Sequence, residues 1–228
     1  MSGLADLAEG CEVGYYALAM PSPVCVDRPR KRYTLDVCIE KLEGEMLKVI
    51  GIQSSPNLDG LTCQLTQAVL EGAKGEGAET ELIHLNRLDV GSCKAHDRGW
   101  GTCRSEGKCM IEDDFQELRE KINQADALVF STPVYFGDLS ESAKRFLDRW
   151  RRCESSNREA SSLKGKRVIG VAAAGGSGGG AVNALHNLEA YLRYLQFTIF
   201  DLVPVTQASK KHKIDMLKVA GKRMASEL

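Results

Sequence analysis

From residue 47 onward the chain alternates between two textures. Short apolar runs rich in β-branched residues, LKVIGIQ (47–53), TELIHL (80–85), ALVFST (127–132), KRVIGVAA (166–173) and FTIFDLV (197–203), read as strands. Between them, stretches 61–75, 113–125, 140–153, 181–196 and 209–226 have helical spacing. In the fourth of these, Leu185, Leu188, Tyr191, Leu192 and Leu195 form one apolar stripe suited to covering a sheet. ALVF and VIGVA are apolar without alternation, as strands buried on both faces are. Five βα units joined by right-handed crossovers predict an α/β three-layer sandwich around a five-stranded parallel sheet in the order 2-1-3-4-5.

Residues 1–46 lack this rhythm. Pro21, Pro23 and Pro29 interrupt them, and only TLDVCIEKLEGEM (34–46) could make a strand or helical turn, so they are expected to be an extension or arm. The domain proper is expected at 47–228. A formal net charge of -1 with both signs interspersed gives no field to gather nucleic acid or an anionic membrane, and RPRKR (28–32) reads as a solvated basic run. No window approaches the roughly 18 apolar residues of a membrane span, and the acidic start is unlike a secretory signal, so a cytoplasmic location is expected. Eight cysteines are too sparse for a disulfide scaffold at this length and are expected to be thiols or ligands.

In an open parallel sheet the ligand sits beyond the carboxyl ends of the strands, near the reversal of strand order. The three loops there are all unusual. After the first strand, SSPNLDGLT (54–62) ends in a helix N-terminus whose N–H groups, with the Ser55 and Thr62 hydroxyls, could surround a phosphate; the plainer reading is a capped helix start. After the third, TPVYFGDLS (132–140) offers two aromatics that cannot both face inward from one strand. After the fourth, AAAGGSGGG (172–180) has five glycines that let main chain run against a ligand, or act as a flexible linker.

Together GIQSSPNLDGLT, STPVYFGDLSESAKRFLDRW and AAAGGSGGG resemble the flavodoxin-like NAD(P)H-dependent FMN reductase family, including its iron–sulfur flavoprotein branch, from about residue 47 to the C-terminus. PVYFG followed by a helix with Lys144, Phe146 and Asp148 is the most specific part of the match. The resemblance implies a flavodoxin-like fold with FMN as cofactor. It assigns the phosphate to Ser55, Pro56, Asn57, Gly60, Leu61 and Thr62, with Asn57 and Leu61 replacing the family's common arginine and asparagine. The isoalloxazine ring would lie on Pro133, Val134, Tyr135, Phe136 and Gly137, and the third loop would contribute Ala174, Gly175, Gly176 and Gly179. No side chain is assigned a catalytic role: the flavin performs the redox step, and His84, His186 and His212 are expected to be structural or exposed.

SCKAHDRGWGTCRSEGKC (92–109) lies in the long connection 86–113. In iron–sulfur flavoproteins this position carries a compact C-x2-C-x2-C-x4-7-C run that binds a cubane cluster. GKCMIEDDF resembles its end, with Cys109 the best-matched cysteine, but Cys93, Cys103 and Cys109 are separated by nine and five residues. His96 could complete a zinc set, and Cys11, Cys25 or Cys38 could supply a ligand, but no metal ligand is assigned. The favoured alternative is a lid or partner-facing loop beside the flavin, with Trp100 as a stacking side chain.

The resemblance therefore implies an oxidoreductase carrying electrons from NADH or NADPH through FMN to a small acceptor such as a quinone, flavin or nitroaromatic. It also implies pairing as a homodimer or homotetramer. The alternatives are an electron-transfer protein serving a redox protein partner, and a binding protein that keeps the fold without flavin.

Overall fold

A computed structural model describes residues 46–156 and 158–228; the extension, with Cys11, Cys25, Cys38 and the RPRKR run, lies outside the described residues. The chain runs β1 (Lys48–Gln53), α1 (Leu61–Lys74), β2 (Glu79–His84), α2 (Phe115–Gln124), β3 (Ala127–Pro133), α3 (Glu141–Cys153), β4 (Arg167–Ala174), α4 (Ala181–Tyr194), β5 (Thr198–Thr206) and α5 (Lys210–Ser226). All five strands are parallel and ordered β2-β1-β3-β4-β5, the predicted flavodoxin-like topology. Element ends move by one to three residues: β5 reaches Thr206, and α4 stops at Tyr194 because Gln196 takes φ +69°.

β3 is buried at every position and β4 at all but its first residue, as strands covered on both faces must be. Each face has its own apolar layer. One packs Phe115, Phe130, Phe146, Trp150 and Phe197 with the stripe Leu185, Leu188 and Leu192 beneath α2, α3 and α4. Its aromatic rings stand edge to face, tilted or stacked, with centroids 5.0–6.4 Å apart. The other joins Leu65, Val69, Val129, Val171, Val205, Leu217 and Met224 beneath α1 and α5. There α1 and α5 touch backbone to backbone: a Cβ on Gly221 would lie 2.0 Å from the Val69 carbonyl oxygen, and one on Gly72 2.0 Å from that of Lys218. Only glycine permits that approach.

Among the described residues no helix is long and apolar enough to cross a membrane.

Candidate functional site

β1 lies between β2 and β3, so the chain leaves it on one side of the sheet order and returns on the other. Beyond the carboxyl ends of β1, β3 and β4 opens one cavity of about 410 Å3, at the position the strand order dictates. Fourteen of the fifteen predicted loop residues line it. Pro56 does not: it is exposed, and with no N–H to offer it turns the chain ahead of Asn57. Ala173, Ser177 and Gly178 line it as well.

The first loop brings α1 to the cavity with Gly60 as its N-cap and no acidic residue in the first turn. The first N–H groups of a helix have no partner within it, and they sit at the positive end of its dipole. Ser55 and Thr62 are buried beside them; Ser55 Oγ accepts from the Asn57 N–H at 3.1 Å, which leaves its own O–H to donate. The Ser55 N–H is already committed, 2.8 Å from Gln53 Oε1, and the Gln53 amide nitrogen lies 2.6 Å from His84 Nδ1. His84 is thereby a structural residue of the strand ends. Asn57 packs over Gly60, where a Cβ would meet its amide nitrogen at 2.9 Å.

The second loop is a tight hairpin: Tyr135 and Asp138 exchange backbone hydrogen bonds of 3.0 and 3.1 Å across Phe136 (φ +51°) and Gly137 (φ +79°). Two successive positive φ values define a primed turn, and a phenylalanine there is uncommon. The turn leaves Tyr135 half exposed and Phe136 fully exposed, so neither aromatic joins the core. Asp138 anchors the turn by accepting from the Leu139 N–H at 2.7 Å and from Asn187 Nδ2 of α4 at 2.9 Å. Those two hydrogen bonds, with Lys144 nearby, hold its carboxyl below the usual carboxylate range.

In the third loop, a Cβ on Gly175 or Gly176 would meet nothing within 4 Å, so the main chain there faces open space. Gly180 instead presses on the second loop, where a Cβ would stand 2.5 Å from the Gly137 Cα.

A buried polar seam that no sequence pattern announces locks these loops together. Ser140 Oγ lies 2.9 Å from Ser54 Oγ and donates to the Ser54 carbonyl at 3.1 Å; Ser142 Oγ and Asn86 Nδ2 donate to the same carbonyl at 3.0 and 2.8 Å. The Ser140 N–H donates to Thr132 Oγ1 at 3.0 Å. Ser140 is also the N-cap of α3 and accepts from the Ala143 N–H at 3.3 Å. The serines of LSES in the second loop thus fix the first.

The arrangement suits a phosphorylated planar ligand such as FMN. Its volume lies in the ordinary range for small-molecule sites, a helix N-terminus with buried hydroxyls faces the phosphate end, and open glycine main chain faces the ring end.

The cysteine segment lies elsewhere. None of residues 87–113 lines the cavity, and Trp100 is exposed beneath the Arg104 guanidinium, 4.5 Å from the ring centroid, so it is no stacking lid. The segment is also less open than its composition predicts, since it contains a left-handed turn at His96–Gly99, with Asp97, Arg98 and Gly99 at positive φ, and a single helical turn at Thr102–Ser105. Cys93, His96, Cys103 and Cys109 line a separate hollow of about 20 Å3. They do not converge: among the described residues no three His, Cys, Asp or Glu side chains are grouped to hold a metal ion. That volume is room for about one water, not for a cubane cluster. Cys153 of α3, buried behind them, has its thiol pushed up to about 12, first by burial; Arg119 opposes the rise, and nearby Cys109, Cys103 and Glu154 add to it. A thiol in that state is a poor ligand. The donors among the described residues therefore do not fit a four-thiolate cluster.

Comparison with known proteins agrees with this geometry. The family model described as NADPH-dependent FMN reductase matches residues 47–208. An iron–sulfur flavoprotein of Methanocaldococcus jannaschii is 35% identical over 130 residues, 57% of this chain and 65% of that protein, a little under two thirds of its length. One from Methanosarcina thermophila is 31% identical over 147 residues, 64% of this chain and 73% of that protein. Among solved structures, an NAD(P)H:quinone oxidoreductase from Methanothermobacter marburgensis superposes with a TM-score of 0.60 at 19% identity, covering 78% of this chain and 96% of that one. An NADH:FMN oxidoreductase does so at 0.56 and 21%, covering 80% and 90%; at such identity these two show the fold. Motif, topology and family match coincide over the same residues, and the chain belongs to the NADPH-dependent FMN reductase family, in its iron–sulfur flavoprotein branch.

Proposed function

We propose that this FMN-dependent oxidoreductase takes electrons from NADPH or NADH and passes them to a small acceptor such as a quinone, a flavin or a nitroaromatic. The observation that carries the reading is the single cavity at the switch in strand order, with phosphate donors at one end and bare glycine main chain at the other. When bound, FMN supplies the chemistry of hydride acceptance and electron return. The protein's part is placement. The α1 N-terminus with Ser55 and Thr62 would hold the phosphate, the Tyr135–Asp138 turn and the Gly175–Gly179 run would hold the ring, and the serine seam keeps the first two loops from parting. No cation stands in the first loop where the family often has arginine, so the phosphate is held by backbone and hydroxyl donors.

Exposed Tyr135 and Phe136 line the cavity. They support a homodimer or homotetramer and offer flat surfaces to an aromatic acceptor. The same fully exposed Phe136, with the iron–sulfur flavoprotein relatives, favours a redox protein partner as the second reading.

Purified protein should release FMN on denaturation, and its flavin absorption should bleach on anaerobic addition of NADPH or NADH. A protein that takes up no FMN after dialysis overturns the cofactor assignment. One that binds FMN but is bleached by neither nicotinamide supports the second reading.

The Asp138 tether has a definite pH signature. Its folded carboxyl titrates below the ordinary value, so the tether is fully present above about pH 4 and is lost as pH falls through the lowered folded value. FMN retention should be flat from neutral pH down to about 5 and fall below 4. In Asn187→Leu the dissociation constant at pH 7 should rise about threefold, the worth of one exposed hydrogen bond, as read by FMN fluorescence titration.

A further inference from the structure

Among the described residues, the donors of the segment after β2 do not fit an iron–sulfur cluster. Something else must hold a segment of more than twenty residues against the domain. Three arginines do so, each reaching the carbonyl of a glycine. Arg149 Nη1 donates to the Gly91 carbonyl at 3.0 Å, Arg152 Nη2 to that of Gly99, and Arg119 Nη1 to that of Gly107 at 2.8 Å. The anchors recur every eight residues along the segment.

The glycines are part of the device. Gly99 (φ +90°) and Gly107 (φ +69°) take a backbone conformation that side chains disfavour, and the space beside each is tight. A Cβ would stand 2.9 Å from Arg152 Nη2 at Gly99, and 3.0 Å from Ser156 Oγ and 3.2 Å from the Cys153 carbonyl at Gly107. Two of the arginines are themselves set. Arg149 is paired with Asp113, and Arg119 with Glu154 at 2.6 Å, all four side chains buried. Arg149 Nη2 also donates to Cys109 Sγ at 3.3 Å, so this thiol already has a cation as its partner.

We propose that an arginine clamp closes the cysteine segment in place of an iron–sulfur cluster, so that among the described residues FMN is the sole redox centre and Cys93, Cys103 and Cys109 are free thiols. Electrons then leave from the flavin itself, at the cavity mouth, with no relay through the segment. The proposal does not depend on which nicotinamide or acceptor is used, and its test involves neither.

The full chain is purified without oxygen and assayed for iron, acid-labile sulfide and visible absorption, before and after incubation with ferrous iron, sulfide and a thiol reductant. Flavin bands alone, with both elements far below one per chain in each sample, are the expected result. A stable cluster that is lost in Cys103→Ser/Cys109→Ser overturns the proposal, including the case in which cysteines of the first 45 residues complete it. The clamp has its own readout. Arg152→Met, distant from the cavity, should speed proteolytic cleavage within 92–109 by about tenfold while the bound-flavin spectrum is unchanged. Unaltered protection of the segment in Arg152→Met and in Gly99→Ala overturns the clamp. Peptide mapping after alkylation of the native protein should find Cys93 and Cys109 modified and Cys63 and Cys153 untouched; blocked Cys93 and Cys109 in metal-free protein overturn the free-thiol assignment.

Discussion

Gly180→Ala is expected to lower FMN affinity on the order of a hundredfold in an otherwise folded protein. Gly180 is the N-cap of α4 at φ +79°, where an alanine costs about 1–2 kcal/mol. Its Cβ would also stand 2.5 Å from the Gly137 Cα and 3.0 Å from the Gly137 nitrogen, atoms of the main chain with no rotamer to change. Either the second loop or the start of α4 must move, which adds roughly 1–3 kcal/mol. The second loop lines the cavity, and the start of α4 follows directly on Gly179, which lines it too, so much of the strain appears as lost flavin binding, at about tenfold per 1.4 kcal/mol. Gly165→Ala separates the two causes. Its φ is +82° but nothing lies within 4 Å of the new Cβ, so it should cost stability and leave the FMN dissociation constant unchanged. Equal flavin affinity in Gly180→Ala and the parent protein would show that the contact between the two loops does not shape the site.

That contact illustrates what a sequence can and cannot announce. The strands were legible because burial on both faces requires unbroken apolar runs, and the loops because five glycines between a strand and a helix have few other uses. Gly137 and Gly180 each appear as permissive positions, but that they touch follows only from the placement of β3 beside β4. The serine seam escaped for the same reason. Ser140 and Ser142 read as an ordinary helix cap, and their partner Ser54 is 86 and 88 residues away. That Tyr135 and Phe136 could not both face inward was legible, whereas the positive φ of Phe136 depends on the hydrogen bonds across the turn. The cysteines misled by their number. Their spacing already argued against a compact cluster, but the arginines that hold the segment lie in α2 and α3, where DRWRR reads as the solvated end of an amphipathic helix.

The largest stability loss is expected from cutting the pair that seats this helix. Arg149 and Asp113 are joined at 2.5 and 2.9 Å with side chains only 1% and 4% exposed, and the guanidinium also lies 4.1 Å from the centroid of the Phe115 ring. Asp113 accepts in addition from the Gly91 and Phe115 N–H groups, so it binds both ends of the segment's attachment to α2. Arg149→Met leaves that carboxylate buried without its cation and should lower the unfolding free energy by about 3–5 kcal/mol, read from the urea midpoint at constant slope. The pH dependence gives the cause. In the parent protein burial pushes the Asp113 carboxyl up, but Arg149 and the two N–H groups outweigh it and hold the group below its ordinary value. Its contribution is therefore present above about pH 4 and lost as pH falls through the lowered folded value. In Arg149→Met burial is no longer outweighed, the folded carboxyl rises above its unfolded value, and the deficit should shrink as pH is lowered toward about 5. Adding Asp113→Asn removes the stranded charge while keeping an acceptor for both N–H groups, and should recover most of the loss at pH 7. A deficit that is the same at pH 5 and pH 8, or that Asp113→Asn does not relieve, would mean that Arg149 stabilises this helix by packing on Phe115, with the ion pair contributing nothing.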